Sequence, residues 1–284
     1  AFGLPAMGEH YAKIASAVKV AIRKKYWDVS RGLFADTYKH NSFSQHVNSL
    51  AVLAGVITGD EARQVMHSVL TGIDLIQVTI YFRYYLNQAL NKAGLGDELL
   101  EHLGVWKEQM ALGLTTWAER PEPSRSDCHA WGASPNIEFY RVVLGIDSDA
   151  PGFGKVRIAP NLGTLKKVSG TVPHPLGDIA VNYEVDKKGK LIATVDLPEN
   201  IKGTFVWKGQ NYPLVSGHQA FTINQQASAG QRKYYVSSST GDDSNDGLTP
   251  KRAFKTLAKA SQLRLFPGDS LLLRAGDIWL KESL

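Results

Sequence analysis

Cysteine is almost absent from this chain: the single Cys128 excludes an intramolecular disulfide and a cysteine-rich metal centre. No apolar run reaches the ~18–20 residues a membrane-spanning helix requires, so a membrane partner through such a helix is excluded. Residues 1–26 lack the basic-then-apolar order of a secretion leader, and position 1 is Ala rather than Met. We therefore read the chain as beginning in the middle of something larger. A dense Lys/Arg face is also missing. Residues 1–150 carry 14 Lys/Arg against 16 Asp/Glu, residues 151–227 carry 9 against 5, and residues 228–284 carry 9 against 6. The formal charge of +5 is thus spread over two mildly basic pieces, which excludes a phosphate-backbone interface and a nucleic-acid partner. What is present is a core-forming composition, 43% hydrophobic and 21% charged. A length of 284 residues suggests about two domains.

Hydrophobic periodicity divides the chain into three stretches. From residue 5 to about 145 the period is helical: Met7, Tyr11, Ile14, Val18 and Ile22 step by four and three along one face. Val47, Leu50 and Ala54 repeat the pattern, and Asp60 is placed as the cap of a helix carrying Ala62, Val65, Met66, Val69 and Leu70. Further helices are predicted at 77–93, ended by Gly94, at 98–111 with Leu99, Leu103, Trp106 and Met110 in one stripe, and at 135–145, ended by Gly145. Six helices with short connections are the pattern of antiparallel α-hairpins. Tyr11, Trp27, Phe34, Phe43, Tyr81 and Trp117 are placed near helix ends, either lining the mouth of such a ring or filling its core.

From Pro151 to about 226 the period becomes two. Strands are predicted at 156–158, 179–183, 191–195, 204–207 and 220–223, with Lys187-Lys188-Gly189-Lys190 as a hairpin turn. These short strands read as a β-sandwich. Residues 225–232 read as a linker. Beyond it, strands are expected at 234–236, 271–273 and 278–280, a polar loop at 237–250 and a short helix at 254–263. So short a stretch, with little apolar content, is not expected to sustain a domain alone.

The densest chemistry lies in the irregular segment that follows the 98–111 helix. It gathers Glu119, Arg125, Asp127 and His129 between Trp117 and Trp131. Aromatic planes beside carboxylates suit a sugar ring, whose apolar faces stack while the carboxylates do acid/base work. A structural reading stands beside this one, in which Glu119 pairs with Arg125 and His129 meets a backbone carbonyl.

Thr115-Thr116-Trp117-Ala118-Glu119, followed by Ser124-Arg125-Ser126-Asp127-Cys128-His129-Ala130-Trp131-Gly132-Ala133-Ser134-Pro135, closely resembles the bacterial α-L-rhamnosidases of glycoside hydrolase family 78. So do Ala150-Pro151-Gly152-Phe153, Val156-Arg157-Ile158-Ala159-Pro160 and Val172-Pro173-His174-Pro175-Leu176-Gly177. Trp27-Asp28, Gly32-Leu33-Phe34-Ala35-Asp36 and Ser44-Gln45-His46 are also similar to that family's hairpins. The resemblance covers about residues 1–225. It implies a multidomain α and β chain: a partial (α/α)6 barrel of antiparallel α-hairpins over 1–148, an antiparallel β-sandwich over 149–226 and a linker at 227–232.

The same resemblance implies inverting hydrolysis of terminal α-L-rhamnose in plant polysaccharides or glycosides, with a rhamnose-containing oligosaccharide or glycoside as partner. Two carboxyls roughly 6.5–9.5 Å apart would then admit the attacking water. Glu119 matches the general base, which nearby positive charge such as Arg125 would help keep ionised. His129 matches a position bonded to the sugar and Trp131 its wall, while Tyr81 and Gln45 are further pocket candidates. Twelve helices of ~11–12 residues with ~5-residue connections need about 200 residues, so half a barrel is expected here. The family's general acid comes from a loop in the other half, and residues 1–112 hold no comparable motif. Asp28 and Asp36 flank a turn. The chain alone is therefore expected to be inactive.

The final stretch, with Thr240-Gly241-Asp242-Asp243-Ser244-Asn245-Asp246-Gly247, Phe254-Lys255-Thr256-Leu257 and Pro267-Gly268-Asp269, resembles the opening turns of pectate-lyase-like right-handed parallel β-helices. That implies an incomplete β-helix N-terminal segment over 233–284. Asp242, Ser244 and Asp246 begin a calcium-loop pattern, but Ala253 stands where a bidentate Glu belongs, so the segment reads as Asx turns. No metal or other cofactor is demanded, since Glu119 and His129 alone do not make a metal site. The resemblance implies a periplasmic or secreted location and leaves oligomeric state open. Two other readings remain: a non-catalytic carbohydrate-binding protein, and another six-hairpin enzyme such as a glucoamylase-like hydrolase or a phosphorylase.

Overall fold

The computed structural model describes residues 4–120, 123–124, 126–224, 233–263, 265 and 269–280. It divides into two compact units, Ala1–Val185 with Ile192–Phe221, and Asp186–Leu191 with Thr222–Leu284. The 225–232 stretch read as a linker lies outside the described residues.

The first unit opens with α1 (Pro5–Tyr26), where Pro5 sits in the first turn and Arg23, Lys24 and Lys25 oppose the dipole in the last. A two-strand ribbon, β1 (Trp27–Asp28) and β2 (Leu33–Phe34), follows in antiparallel pairing. Asp28 organises the turn by accepting from Ser30 Oγ at 2.6 Å, Arg31 N at 3.0 Å and His40 Nδ1 at 2.9 Å. These donors pull its carboxyl down to about 2. Asp36 accepts from the hydroxyls of Ser42 and Ser44. Both aspartates therefore hold a turn.

Next come α2 (Gln45–Leu53), α3 (Gly59–Thr71) and α4 (Arg83–Lys92). Ser44 caps α2 by accepting from Val47 N at 3.3 Å. Thr58, not Asp60, holds the N-cap position of α3; Asp60 and Glu61 lie in its first turn, where negative charge complements the dipole. Helix α4 is shorter than the predicted 77–93 because residues 76–78 are already paired with 43–45. Ile76 N donates to Phe43 O, Gln45 N to Ile76 O and Val78 N to Gln45 Oε1, each at 3.0 Å. These helices share a core containing Phe34, Phe43, Val52, Met66, Val69, Leu86 and Leu90. Phe34 and Phe43 are thus core residues, whereas Tyr11 lies exposed within α1.

The predicted 98–111 helix is two pieces, a 3-10 turn at Gly96–His102 and α5 (Gly104–Ala111). The break rotates the stripe, so that Trp106 and Gln109 are buried and Met110 is exposed. The last predicted helix is a 3-10 turn at Ala130–Ala133, then α6 (Ser134–Glu138) and a π turn at Phe139–Val143. Gly145 (φ +73°) ends the helical run, and a Cβ there would lie 2.1 Å from the carbonyl carbon of Ala159.

The remaining strands form two four-stranded sheets. They are β3 (Ile146–Ser148), β4 (Lys155–Ile158), β5 (Lys167–Val172), β6 (Ile179–Val185), β7 (Leu191–Leu197), β8 (Lys202–Trp207), β9 (Gln210–Leu214) and β10 (Gly217–Ile223). Their orders are β3-β4-β8-β9 and β10-β7-β6-β5. The pairs β3–β4, β5–β6 and β8–β9 are antiparallel, but β4 runs parallel to β8, the strand it meets after the chain has built most of the other sheet. Phe205 on β8 stacks on Tyr183 of β6 at 6.2 Å and Phe221 of β10 at 5.1 Å, so the two sheets meet through their rings. Tyr183 also donates to Leu144 O at 2.9 Å, tying β6 to the end of the helical run.

In the second unit, Asp186 N donates to Lys190 O at 3.0 Å, closing the predicted turn around Gly189 (φ +79°). β11 (Lys233–Val236) pairs in parallel with β12 (Ser270–Leu273), Tyr234 opposite Leu271. Tyr234, Val236, Phe254, Leu257 and Ala260 form its core. The expected 254–263 helix is only α7 (Leu257–Ala260), because Asp243 accepts from the amides of Lys255 and Thr256 and holds them out of a helix. Residues 278–280 form no strand; the Trp279 indole donates to Lys255 O at 3.0 Å. Asp242 and Asp246 close Asx turns on the amides of Ser244 and Leu248.

Candidate functional site

The loop between α5 and α6 is held from both sides by α5. Trp106 donates its indole N–H to Gly132 O at 2.6 Å, and Gln109 Oε1 accepts from Ala118 N at 3.0 Å. These residues sit one turn apart on the helix, so one face grips both ends of the loop. Within it, Glu119 N donates to Ser126 O at 2.9 Å and His129 N to Trp117 O at 2.8 Å. Gly132 is required for the closure: a Cβ there would lie 2.6 Å from Trp117 Cβ.

This closure brings four of the predicted residues together. His129 Nε2 lies 3.8 Å from Glu119 Oε1. Trp131 meets the His129 ring edge-on at 4.6 Å and Tyr81 at 6.0 Å. Tyr81 and Trp131 remain 47% and 51% exposed, leaving aromatic faces open to a ligand. Glu119, Arg120, Tyr81, Trp131 and Thr79 line one open pocket of about 680 Å³. A smaller pocket of about 320 Å³ shares Tyr81 and Trp131 and adds Tyr84 and Tyr85. Among the described residues lining the larger pocket, Glu119 is the single carboxylate.

Gln45 is not brought to this group. Its side chain is buried, donating to Val69 O at 3.0 Å and accepting from Val78 N at 3.0 Å, which commits the amide to the backbone. Arg125 lies outside the described residues. The alternative placing of His129 against a backbone carbonyl is not seen among the described residues; its Nδ1 is buried without a partner.

Sequence reasoning missed the positioning pair Trp106 and Gln109, although their i,i+3 spacing just before the loop carries a signal. It also missed Glu138. This side chain is fully buried on α6, accepts from Asn87 Nδ2 at 2.7 Å, and leaves its other oxygen without a hydrogen-bond partner. Burial pushes its carboxyl up to about 7, opposed by Asn87 and by the charge of Arg141. A carboxylate among Ile137, Phe139, Tyr140, Val142 and Val143 was its only sequence signal.

Residues 145–221 match the family model of the bacterial alpha-L-rhamnosidase C-terminal domain. The alpha-L-rhamnosidase of Alteromonas sp. (strain LOR) is 32% identical across a stretch covering 43% of this chain and 15% of that relative. The crystal structure of a GH78 family rhamnosidase of Bacillus sp. GL1 matches with a TM-score of 0.62 and 25% identity, covering 70% of this chain and 23% of that one. The Streptomyces avermitilis alpha-L-rhamnosidase, complexed with L-rhamnose, shares the fold with a TM-score of 0.63 at 16% identity, covering 78% of this chain and 25% of that one. The helices and sheets described here are therefore similar to a segment of GH78 rhamnosidases, and the chain spans between 15% and 25% of the length of these three relatives.

Proposed function

We propose that this chain is part of an inverting α-L-rhamnosidase and carries its general base, Glu119, with the aromatic wall of the sugar site. The observation that supports it most is the convergence of Glu119, Trp131 and Tyr81 on one pocket, with His129 beside both Glu119 and Trp131. A rhamnose ring would stack its apolar face on Trp131 and Tyr81, with His129 hydrogen-bonding a ring hydroxyl. Glu119 would take the proton of a water attacking the anomeric carbon as the bond to the leaving oxygen breaks. That oxygen needs a proton from a second carboxyl, and none stands among the described lining residues. In this reading the helices are part of an (α/α)6 barrel and the two sheets are its β-sandwich. Residues 233–280 begin a parallel β-helix, a reading favoured by the parallel pairing of β11 with β12. A periplasmic or secreted location goes with it.

The test is an assay of this chain against an aryl α-L-rhamnoside, together with L-rhamnose binding. The expected result is no turnover, with L-rhamnose binding that Trp131→Ala weakens. Turnover abolished by Glu119→Gln would contradict the missing acid, and absence of L-rhamnose binding would contradict the site.

A further inference from the structure

A second cavity of about 660 Å³ lies where the helical part of the first unit meets the β3-β4-β8-β9 sheet. Its lining is rich in cations: Arg63 from α3, Lys92 from α4, Arg141 from the π turn, Arg157 from β4, and Lys208 just after β8. Two acids also line it, and each already has a partner. Asp147 accepts from Arg141 at 2.8 Å, and Asp97 lies 3.8 Å from Lys208. Lys92 donates to the neutral carbonyl of Leu53 at 2.7 Å, which leaves its charge uncancelled. No ion pair engages Arg63 or Arg157 among the described residues. Three positive charges, on three separate elements, therefore line one cleft with no ion-pair partner among the described residues, beside two acids that are each paired with another cation.

Two buried donors of lining residues point the same way. Trp207 Nε1 and Arg141 Nε are buried without an acceptor, so their N–H dipoles add to the positive potential instead of being cancelled. A cleft walled by low-dielectric protein concentrates such a field on whatever anion enters it. The volume falls in the range of small-molecule sites and exceeds what a single inorganic anion fills. Asp97 and Asp147 retain carboxylate lone pairs that can accept from hydroxyl groups.

We propose that this cleft binds an oligosaccharide carrying carboxylates, a chain of uronate residues, with Arg63 and Arg157 taking the carboxylates through charge-assisted hydrogen bonds. The preference for an organic anion comes from the charge and size of the cleft. The choice of a sugar over another organic acid rests on the proposed rhamnosidase reading.

Titration of the whole chain with trigalacturonate, its neutral methyl ester, inorganic phosphate and L-rhamnose tests this, followed by the indole N–H resonances of Trp207 and Trp131. Trigalacturonate is expected to bind, shift Trp207 and weaken as salt rises. The methyl ester should bind at least about tenfold more weakly, as should trigalacturonate to Arg157→Ala or to Arg63→Ala. Arg157 is exposed, so Arg157→Ala should unfold at an unchanged midpoint, and Arg157→Lys should recover part of the affinity. Equal binding of acid and ester, binding unaffected in both Arg157→Ala and Arg63→Ala, or phosphate competing at the same concentration would each overturn the proposal. L-rhamnose shifting Trp131 while trigalacturonate shifts nothing would sink this inference and leave the Glu119 site standing. The reverse pattern would spare the cleft and remove the Glu119 site.

Discussion

In the paired sheets of residues 146–223 the apolar stripes meet one another: Ile179, Tyr183, Leu191, Val195 and Phe205 are each 0% exposed. Helix α1 carries an equally regular stripe, yet Met7, Tyr11, Ile14 and Val18 are 51%, 60%, 46% and 49% exposed. Among the described residues its C-terminal end docks, through Ile22 and Tyr26 on the helical core and through the Arg23–Glu61 pair. Periodicity states which face of an element is apolar; it does not state what covers that face. The sheets bury their stripes against each other, whereas the stripe of α1 has no such cover among the described residues. The Glu119 site belongs to the helical part, and its wall, too, is half open.

Four substitutions probe that contrast. Phe205→Ala removes a ring stacked between two others in the closed core and should lower stability by about 3–5 kcal/mol in urea denaturation. A loss below 1 kcal/mol would mean the sheets are not packed as described. Glu138 gives a pH signature to the helical part. Its carboxyl is raised from 4.5 to about 7, so the folded chain holds a proton that the unfolded chain releases. Its stability contribution is complete below pH 4.5 and is lost as pH rises through about 7, a fall of about 3 kcal/mol. Glu138→Gln should flatten that slope; an unchanged slope would remove Glu138 as its source.

Gly132→Ala forces a Cβ against Trp117 and should cost about 1–3 kcal/mol while weakening L-rhamnose binding, measured by calorimetry. Unchanged affinity would show that the loop closure does not position the site. The smallest effect is expected at Ile14→Ser, within about 0.5 kcal/mol by urea denaturation, because nothing buries that side chain. A cost comparable to Phe205→Ala would erase the comparison.

The strands read correctly from alternation were chiefly central ones: β4, β6, β7 and β8 each have neighbours on both sides. The three strands missed, β3, β5 and β9, all lie at sheet edges. β5 buries no residue along Lys167–Val172, and β9 contains Pro213, which an edge tolerates because it need not donate to a ladder on both sides. Edge strands are polar where they face water, and so lose the signal that makes a central strand legible. Helix extents failed for a different reason. The backbone of residues 76–78 was taken by residues 43–45, and Asp243 took the amides of residues 255 and 256, long-range bonds that no local pattern announces. At the site, Glu119, His129 and Trp131 were legible because one short loop carries them, and Tyr81 joins them from a distant segment. Gln45 was misplaced because a buried amide serving two backbone groups has the same sequence as one serving a ligand.

The central claim is that the loop from α5 to α6 forms a rhamnose site with Tyr81. An L-rhamnose titration of the whole chain, followed through the indole N–H resonances of its tryptophans, tests it most directly. The account predicts shifts at Trp131, and at Trp106, which donates to Gly132, with Trp207 and Trp279 unmoved. Shifts confined to Trp207 or Trp279 would contradict it and favour a carbohydrate-binding role for the β-rich part.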